Sequence, residues 1–421
     1  MPHEVREAML STTYFYLKTQ RILREWLAFL LITHIWLLFF FTSSVAYCND
    51  DGTHFVWFGC YTNKKSGGEG IYVARFDANK GTLTQPTLAI AARNPSFLAL
   101  HPKLPVLYAV SEAPGLDGKP SGAIASFKID TSNGSLQKIN HQSSGGAGPC
   151  HLSVDPHGQV VLAANYRGGS TVCLGLTDNG HLKPASNEIP GGFIQHSYKR
   201  SGEIGINEQR QSEPHGHSAD IFPNGRFAFV CDLGLDEVLI YKLDPTHATI
   251  QPHSSVSTQN GAGPRHFALH PNQQYAYCVN ELDLSVTAFS FDADTGTLTA
   301  IQSISTLPKD VTDRTGFSCA EIATHPSGHF LYASNRGHNS ITTFRIDEST
   351  GRLSFRETVS AHVDTPRHFA LSPNGKHLLA EGQKSNSVAI FTIDPSSGML
   401  GFTGESIMIP SPVSAVFKPL Q

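Results

Sequence analysis

From His54 to Pro419 the chain is organised by short apolar runs with strand-like alternation, and no stretch of helical periodicity competes with them. The runs come in sets. A first run ends in His-Pro or a similar pair, as in Phe97–Pro102, His151–Pro156, Phe267–Pro271 and Phe369–Pro373. Turn residues follow, such as Pro223-Asn-Gly225, Pro326-Ser-Gly328 and Pro373-Asn-Gly375. Proline presets φ for the turn and glycine accepts the positive φ that closes it. A second run comes next (Leu107–Val110, Tyr275–Val279, Leu331–Ser334). A third alternates apolar and polar positions (Ser340–Ile346, Ser387–Ile393). After the third run stands a phrase of the form I-D-x-x-x-G-x-L, and a fourth, edge-like run begins at its last residue.

The phrase occurs seven times: Phe76–Leu83, Ile129–Leu136, Leu176–Leu182, Leu243–Ile250, Phe291–Leu298, Ile346–Leu353 and Ile393–Leu400. The third and fourth copies are degenerate. A period of about 50 residues marks a repeat architecture, and four antiparallel strands per repeat make a propeller blade. The proline marker of the first run is found only six times inside full repeats. The chain ends account for the difference: Val413–Pro419 is a first strand with nothing after it, and His54–Cys60 is a second strand with nothing before it. The expected fold is therefore all-β, a seven-bladed β-propeller closed by pairing of the N- and C-terminal strands in one blade. Such closure leaves no open sheet edge between first and last blade.

Of the 421 residues, 49–421 form the expected propeller and 1–48 a separate segment. In the latter, Arg21 and Arg24 precede an apolar stretch, Trp26–Phe41, and Ser44-Val45-Ala46 offers a small-x-small cleavage site. This reads as a signal peptide, or alternatively as an N-terminal anchor. A working leader implies export to a periplasmic or extracellular space, with no stable membrane association after cleavage. A mis-assigned start implies a cytoplasmic protein. The charge of −4 gives no reason to expect a nucleic-acid partner. None of the seven cysteines forms a C-x-x-C pair, and most sit in apolar runs, as buried thiols do.

The 21 histidines are the compositional oddity. In a propeller the start of each first strand and the end of each second strand meet at one face. The starts carry Ser96, His151, His215, His217, Arg265, His266, Glu321, Arg367, His368 and Ser414. The ends carry Glu112, Asn165, Arg167, Asp232, Asn280, Glu281, Asn335, Arg336 and Gln383. Acids, imidazoles and guanidiniums thus gather at one channel mouth, where they suit acid–base work on a polar small molecule. His101, His270 and His325 fall at the opposite end and read as structural. Two long connections, Asn187–Glu213 (with Arg200 and Arg210) and Thr306–Ser318, overhang the mouth. His215-x-His217 resembles a metal-ligand pair, but no metal is expected.

Gly261-Ala-Gly-Pro-Arg-His266, followed by His270–Leu282, resembles the signature stretch of the lactonase family of seven-bladed propellers, whose reference members are propeller-type 6-phosphogluconolactonases. Gly148-Pro-Cys-His151, Arg210-Gln-x-x-x-His215-x-His217-Ser218, Ala320-Glu-Ile322, Ser334-Asn-Arg-Gly337 and Thr365-Pro-Arg367 match it as well. The resemblance spans about residues 54–419. It implies a lactonase of the carboxylic-ester hydrolase class with no cofactor, and it carries functional roles loosely onto His151, Arg210, His215, His217, Arg265 and Glu281.

The expected reaction is hydrolysis of a sugar-acid lactone, either 6-phosphoglucono-1,5-lactone, as in the pentose phosphate pathway, or an unphosphorylated aldonolactone; export would favour the latter. His151, His215, His217, Arg265, His266, Glu281 and Glu321 are the expected catalytic set, with a histidine or Glu281 as base. Arg210, Asp232, Asn280, Arg336 and Arg367 are the expected substrate-binding set. No G-x-S-x-G elbow is present, which argues against a serine hydrolase. Two alternatives stand beside this reading: a muconate-type lactonising enzyme (a cycloisomerase), and a non-catalytic exported propeller that binds a ligand. The partner expected is the small-molecule lactone alone, with the protein a monomer.

Overall fold

The computed structural model describes residues 52–62, 65–113, 121–185, 190–197 and 206–419; residues 1–48, read above as a signal peptide or anchor, and Arg200 lie outside them. The described chain forms seven antiparallel sheets. Blades 2 to 7 have as their inner strands Leu98–Leu100, Pro149–Val154, Gly216–Ile221, Pro264–Leu269, Ser318–Thr324 and Pro366–Leu371, each followed outward by three more strands in chain order. Blade 1 takes its inner strand, Pro412–Pro419, from the C-terminus and pairs it with Thr53–Cys60 from the N-terminal side, with Trp57 opposite Val416. The closure expected from the unequal marker counts is the one observed.

Second strands are buried on both faces, as along Tyr275–Asn280, and so read as continuous apolar runs. Outer strands such as Leu353–Ser360 expose much of their length. Blade 3 departs from the expected layout. Its outer strand is only Phe193–Gln195, inside the segment read from sequence as an insertion, and Leu176 and Leu182 form an isolated bridge instead. The apolar core divides into seven clusters, each shared by two adjacent blades. The one built on Phe58, Phe76, Leu379 and Val388 joins blade 7 to blade 1. No blade therefore has a core of its own, which is the physical reason that the repeats must close.

The repeated phrase turns the third strand into the fourth. In blade 7 the Asp394 carboxylate accepts from the N–H groups of Ser396 and Ser397, while Gly398 N–H donates to the Asp394 carbonyl. The phrase also locks blades together. Its glycine carbonyl accepts a hydrogen bond from a buried aromatic on the second strand of the preceding blade: Trp57 to Gly134 (2.8 Å), Tyr108 to Gly180 (3.0 Å), Tyr277 to Gly351 (3.0 Å) and Tyr332 to Gly398 (2.8 Å). On the same side of the ring, His101, His270 and His325 each direct Nε2 at the carbonyl of Gly158, Gly328 or Gly375 in the next blade. These three imidazoles are thereby committed to scaffold.

Candidate active site

At the mouth, Pro264 pairs with Asn280, Gly216 with Asp232, Pro366 with Gly382 and Pro149 with Asn165. Immediately inward, each of these inner strands carries a bulge that leaves one residue unpaired: Arg265, His217, Arg367 and Cys150. A bulge re-aims a side chain that regular alternation would turn away. Consecutive residues can then share one cavity. A small pocket is lined by Arg265 and His266 together with Tyr61, Ser96, Phe97, Cys150, His217, Arg367 and Val413.

Glu281, at the end of the second strand of blade 5, is the hub on one side of this pocket. Its Oε2 lies 2.5 Å from Arg265 Nη1 and 3.2 Å from Arg336 Nη2, and its Oε1 lies 2.6 Å from Arg210 Nη2. Burial opposes ionisation of Glu281, but the guanidiniums of Arg336, Arg265 and Arg210 outweigh it and hold the carboxyl well below its ordinary range. Arg265 also donates through Nη1 to His217 Nε2 and through Nε to the Ala320 carbonyl (2.9 Å). An arginine can only donate, so His217 carries its proton on Nδ1. Burial, reinforced by Arg265, keeps that imidazole neutral.

Arg367 differs from the other three arginines. Its guanidinium lies over the Tyr61 ring, 5.5 Å from the centroid, and has no hydrogen-bond acceptor among the described residues. Arg265 Nη2 likewise has none. Among the described residues, five guanidiniums (Arg167, Arg210, Arg265, Arg336, Arg367) stand around the mouth against two carboxylates, Glu281 and Glu112, so positive charge is in excess.

Deeper in the channel lies a second layer. His266 Nδ1 is 3.0 Å from Glu321 Oε2, which also faces His368 Nε2 at 3.4 Å; His368 Nδ1 in turn meets Glu381 Oε2 at 2.9 Å. Burial raises the Glu321 carboxyl, but His266 and His368 bring it down to about 2. Burial lowers His368 too; there Glu321 and Glu381 prevail and raise it. His266 ends below its ordinary value because burial outweighs Glu321. Near neutral pH this leaves a carboxylate at Glu321, a neutral His266 with Nδ1–H on Glu321 and a lone pair on Nε2, and a His368 whose protonated form is favoured by the two carboxylates. Phe97 roofs this layer, its ring centroid 4.1 Å from His151 and 5.8 Å from both His266 and His368. His151 accepts the Ala219 N–H on Nδ1 and sits 3.8 Å from Asp220.

The structure therefore brings together His217, Arg265, His266, Glu281, Glu321, Arg210, Arg336 and Arg367, with His151 below Phe97. His215 stacks on Tyr166 (4.5 Å, 9°), and Tyr166 accepts from Arg210, so His215 adjoins the Glu281 group from behind. Asp232 and Asn280 are placed elsewhere. Asp232 holds the His215 N–H and pairs with the buried His196 at 2.6 Å. Asn280 donates to Ser285 and Thr287 of its own blade, as Asn165 does to Ser170 and Asn335 to Ser340. Phe97, Tyr61, Tyr166 and Glu381 were not singled out from sequence, although Phe97 occupies the strand-start column that His266 and His368 fill in other blades. No group of three or more His, Cys, Asp or Glu side chains among the described residues is arranged to hold a metal ion.

Comparison with known proteins agrees with this architecture. The family model "Lactonase, 7-bladed beta-propeller" matches residues 55–417. The 6-phosphogluconolactonase of Bacillus subtilis is 36% identical over 312 residues, which is 74% of this chain and 83% of its own length. The 6-phosphogluconolactonase of Formosa agariphila is 32% identical over 318 residues, 74% of this chain and 85% of its own. Among solved structures, the periplasmic gluconolactonase of Pseudomonas aeruginosa superposes with a TM-score of 0.78 at 29% identity, covering 88% of this chain and 100% of its own. The chain belongs to the lactonase family of seven-bladed β-propellers and is 6-phosphogluconolactonase-like.

Proposed function

We propose that this protein hydrolyses a sugar-acid lactone at the channel mouth. The observation that carries the reading is the guanidinium of Arg367, stacked on Tyr61 without an acceptor of its own, beside the open Nη2 of Arg265. Donors held in place and unfilled are what a tetrahedral oxyanion and a carboxylate product require. Glu281 serves as counter-ion to three arginines rather than as base, because those charges strip its basicity. His266 is the better base: Glu321 fixes its Nδ1–H and so leaves the lone pair on Nε2, and the residue lines the same pocket as Arg265 and Arg367.

In this mechanism His266 Nε2 removes a proton from water, and the hydroxide adds to the lactone carbonyl carbon. The oxyanion is met by Arg265 and Arg367. On collapse the bond from the carbonyl carbon to the ring oxygen breaks, and the imidazolium of His266 returns its proton to that oxygen. The acid so formed ionises against the surplus positive charge. Sugar lactones open slowly in water unaided, so a positioned base and an oxyanion site suffice.

The apolar leader pattern and the periplasmic setting named for the Pseudomonas relative support export, and export favours an unphosphorylated substrate. The test is pH-stat hydrolysis of glucono-1,5-lactone and 6-phosphoglucono-1,5-lactone by the folded protein. A rate above the buffer background for either one supports the proposal, and background rates for both would sink it.

A further inference from the structure

We infer that the hollow beside the Arg265–Arg367 pocket, lined by Tyr61, Asn94, Glu112, Arg167 and Gln383, is a polyol subsite that selects a lactone with uncharged hydroxyl groups over a phosphorylated one. This rests on the hydrolytic reading above and assigns its substrate class. The hollow has a volume of about 300 Å³ and joins the catalytic pocket through Tyr61, which lines both. It lies on the side of the mouth away from Glu281, formed by blades 1, 2, 3 and 7.

The polar atoms of the hollow are both donors and acceptors. Tyr61 Oη (2.9 Å) and Ser96 Oγ (2.8 Å) both donate to Glu112 Oε2, which fixes the carboxylate and leaves Oε1 without a donor among the described residues. Asn94 is pinned through Oδ1 by the N–H and hydroxyl of Thr62, so its amide nitrogen is left to donate. The Gln383 side chain has no hydrogen-bond partner among the described residues. A hydroxyl group both donates and accepts, and can satisfy Glu112 and the amides at once. A phosphate dianion only accepts. It would have to lie against a fixed carboxylate, and like charges in a partly desolvated site repel strongly. Arg167, the cation of this wall, is exposed to solvent at the rim, with its aliphatic stem against Gly148.

The experiment compares kcat/KM for glucono-1,5-lactone and 6-phosphoglucono-1,5-lactone in the full-length wild type and in Glu112→Gln and Tyr61→Phe. Wild type is expected to favour the unphosphorylated lactone. Glu112→Gln should lower its kcat/KM about tenfold, mostly through KM, while leaving or raising that of the phosphorylated one; Tyr61→Phe should shift the ratio the same way but less. A wild type that prefers the phosphorylated lactone, or a ratio untouched by Glu112→Gln, overturns the subsite. Calorimetric titration of the wild type with gluconate and 6-phosphogluconate separates the two claims. If neither lactone is hydrolysed, tighter binding of gluconate still supports the subsite while the hydrolytic reading fails. Equal binding, or tighter binding of 6-phosphogluconate, ends it, as it would should Glu112→Gln not fold.

Discussion

Arg265 Nη1 stands 2.5 Å from Glu281 Oε2 although the two residues come from different strands of blade 5, and the same nitrogen reaches His217 in blade 4. The bulge at Arg265 makes this possible, because in regular register the side chain would point into the wall. Glu281 thus collects Arg265, Arg336 and Arg210 from three separate segments, and its loss should be felt more in stability than the loss of any one arginine.

Glu281→Gln tests that ranking. It leaves three guanidiniums crowded without their counter-ion, and breaking a buried ion pair from one side costs about 3–5 kcal/mol. Arg265→Ala leaves Glu281 with two partners, so its unfolding midpoint in urea should fall less. Its kcat should nevertheless drop by about 10²–10³, the usual cost of removing one oxyanion donor. If Arg265→Ala destabilises more than Glu281→Gln, the hub has been misassigned.

The pH profile follows from His266. Burial holds its imidazole below the ordinary 6.5, so the acid limb of kcat/KM should lie below 6.5. Glu321 opposes that burial. Replacing it in Glu321→Gln should move the acid limb to still lower pH, while kcat falls because the ring loses its orienting partner. A limb that moves upward, or an unchanged kcat, would remove His266 from the role of base.

Acid stability has its own signature. Glu321 titrates at about 2 in the fold against an ordinary 4.5, and Glu281 is shifted in the same direction. Between those values the unfolded chain binds more protons than the folded one. The stabilisation is therefore complete above pH 4.5 and lost as pH falls toward 2, about 3 kcal/mol for Glu321 alone. The neutral buried His151, His217 and His266 add a loss that begins below pH 6.5, since each is held below its ordinary value. His368 works oppositely: its raised value contributes stability below 6.5 that fades as pH rises through its folded value. Chemical denaturation from pH 7 to pH 3 should show a steep decline that is shallower below 4.5 in Glu321→Gln.

The fold was legible because a blade is a local repeat and its count is a property of the text: seven turn phrases against six proline markers already required the ends to meet. The site was legible only as far as strand position determines it. Arg265, His217, His266 and Glu321 were found because they start inner strands. How Arg265 and His266, neighbours in the chain, can both face one cavity was not, since alternation says otherwise and a single-residue bulge leaves no mark in composition. Asp232 and Asn280 hold the matching positions on second strands, yet their short side chains turn back to cap their own hairpins, while the longer Glu281 reaches the channel. Phe97 passed unnoticed because an apolar residue at a strand start reads as core.

The inter-blade lock yields a final comparison. Gly398 has φ +73°, and a methyl group there would lie 2.4 Å from the Phe330 ring of blade 6. Gly398→Ala should combine a left-handed penalty of about 1–2 kcal/mol with overpacking of about 1–3 kcal/mol. Tyr332→Phe removes only the hydrogen bond to the Gly398 carbonyl and should cost about 1 kcal/mol. The fourth phrase supplies the control. It holds Ala248 where the others have glycine, at φ +53°, and the Ala248 methyl fits because the neighbour is Gly175, at whose position an added Cβ would lie only 3.3 Å from it. Gly175→Val should therefore damage the blade 3–4 junction, whereas Ala248→Gly, which relieves the left-handed strain at the expense of unfolded-state entropy, should change the urea midpoint little. Should Gly398→Ala prove as mild as Ala248→Gly, the glycine of the repeated phrase serves its own turn alone and not the contact between blades.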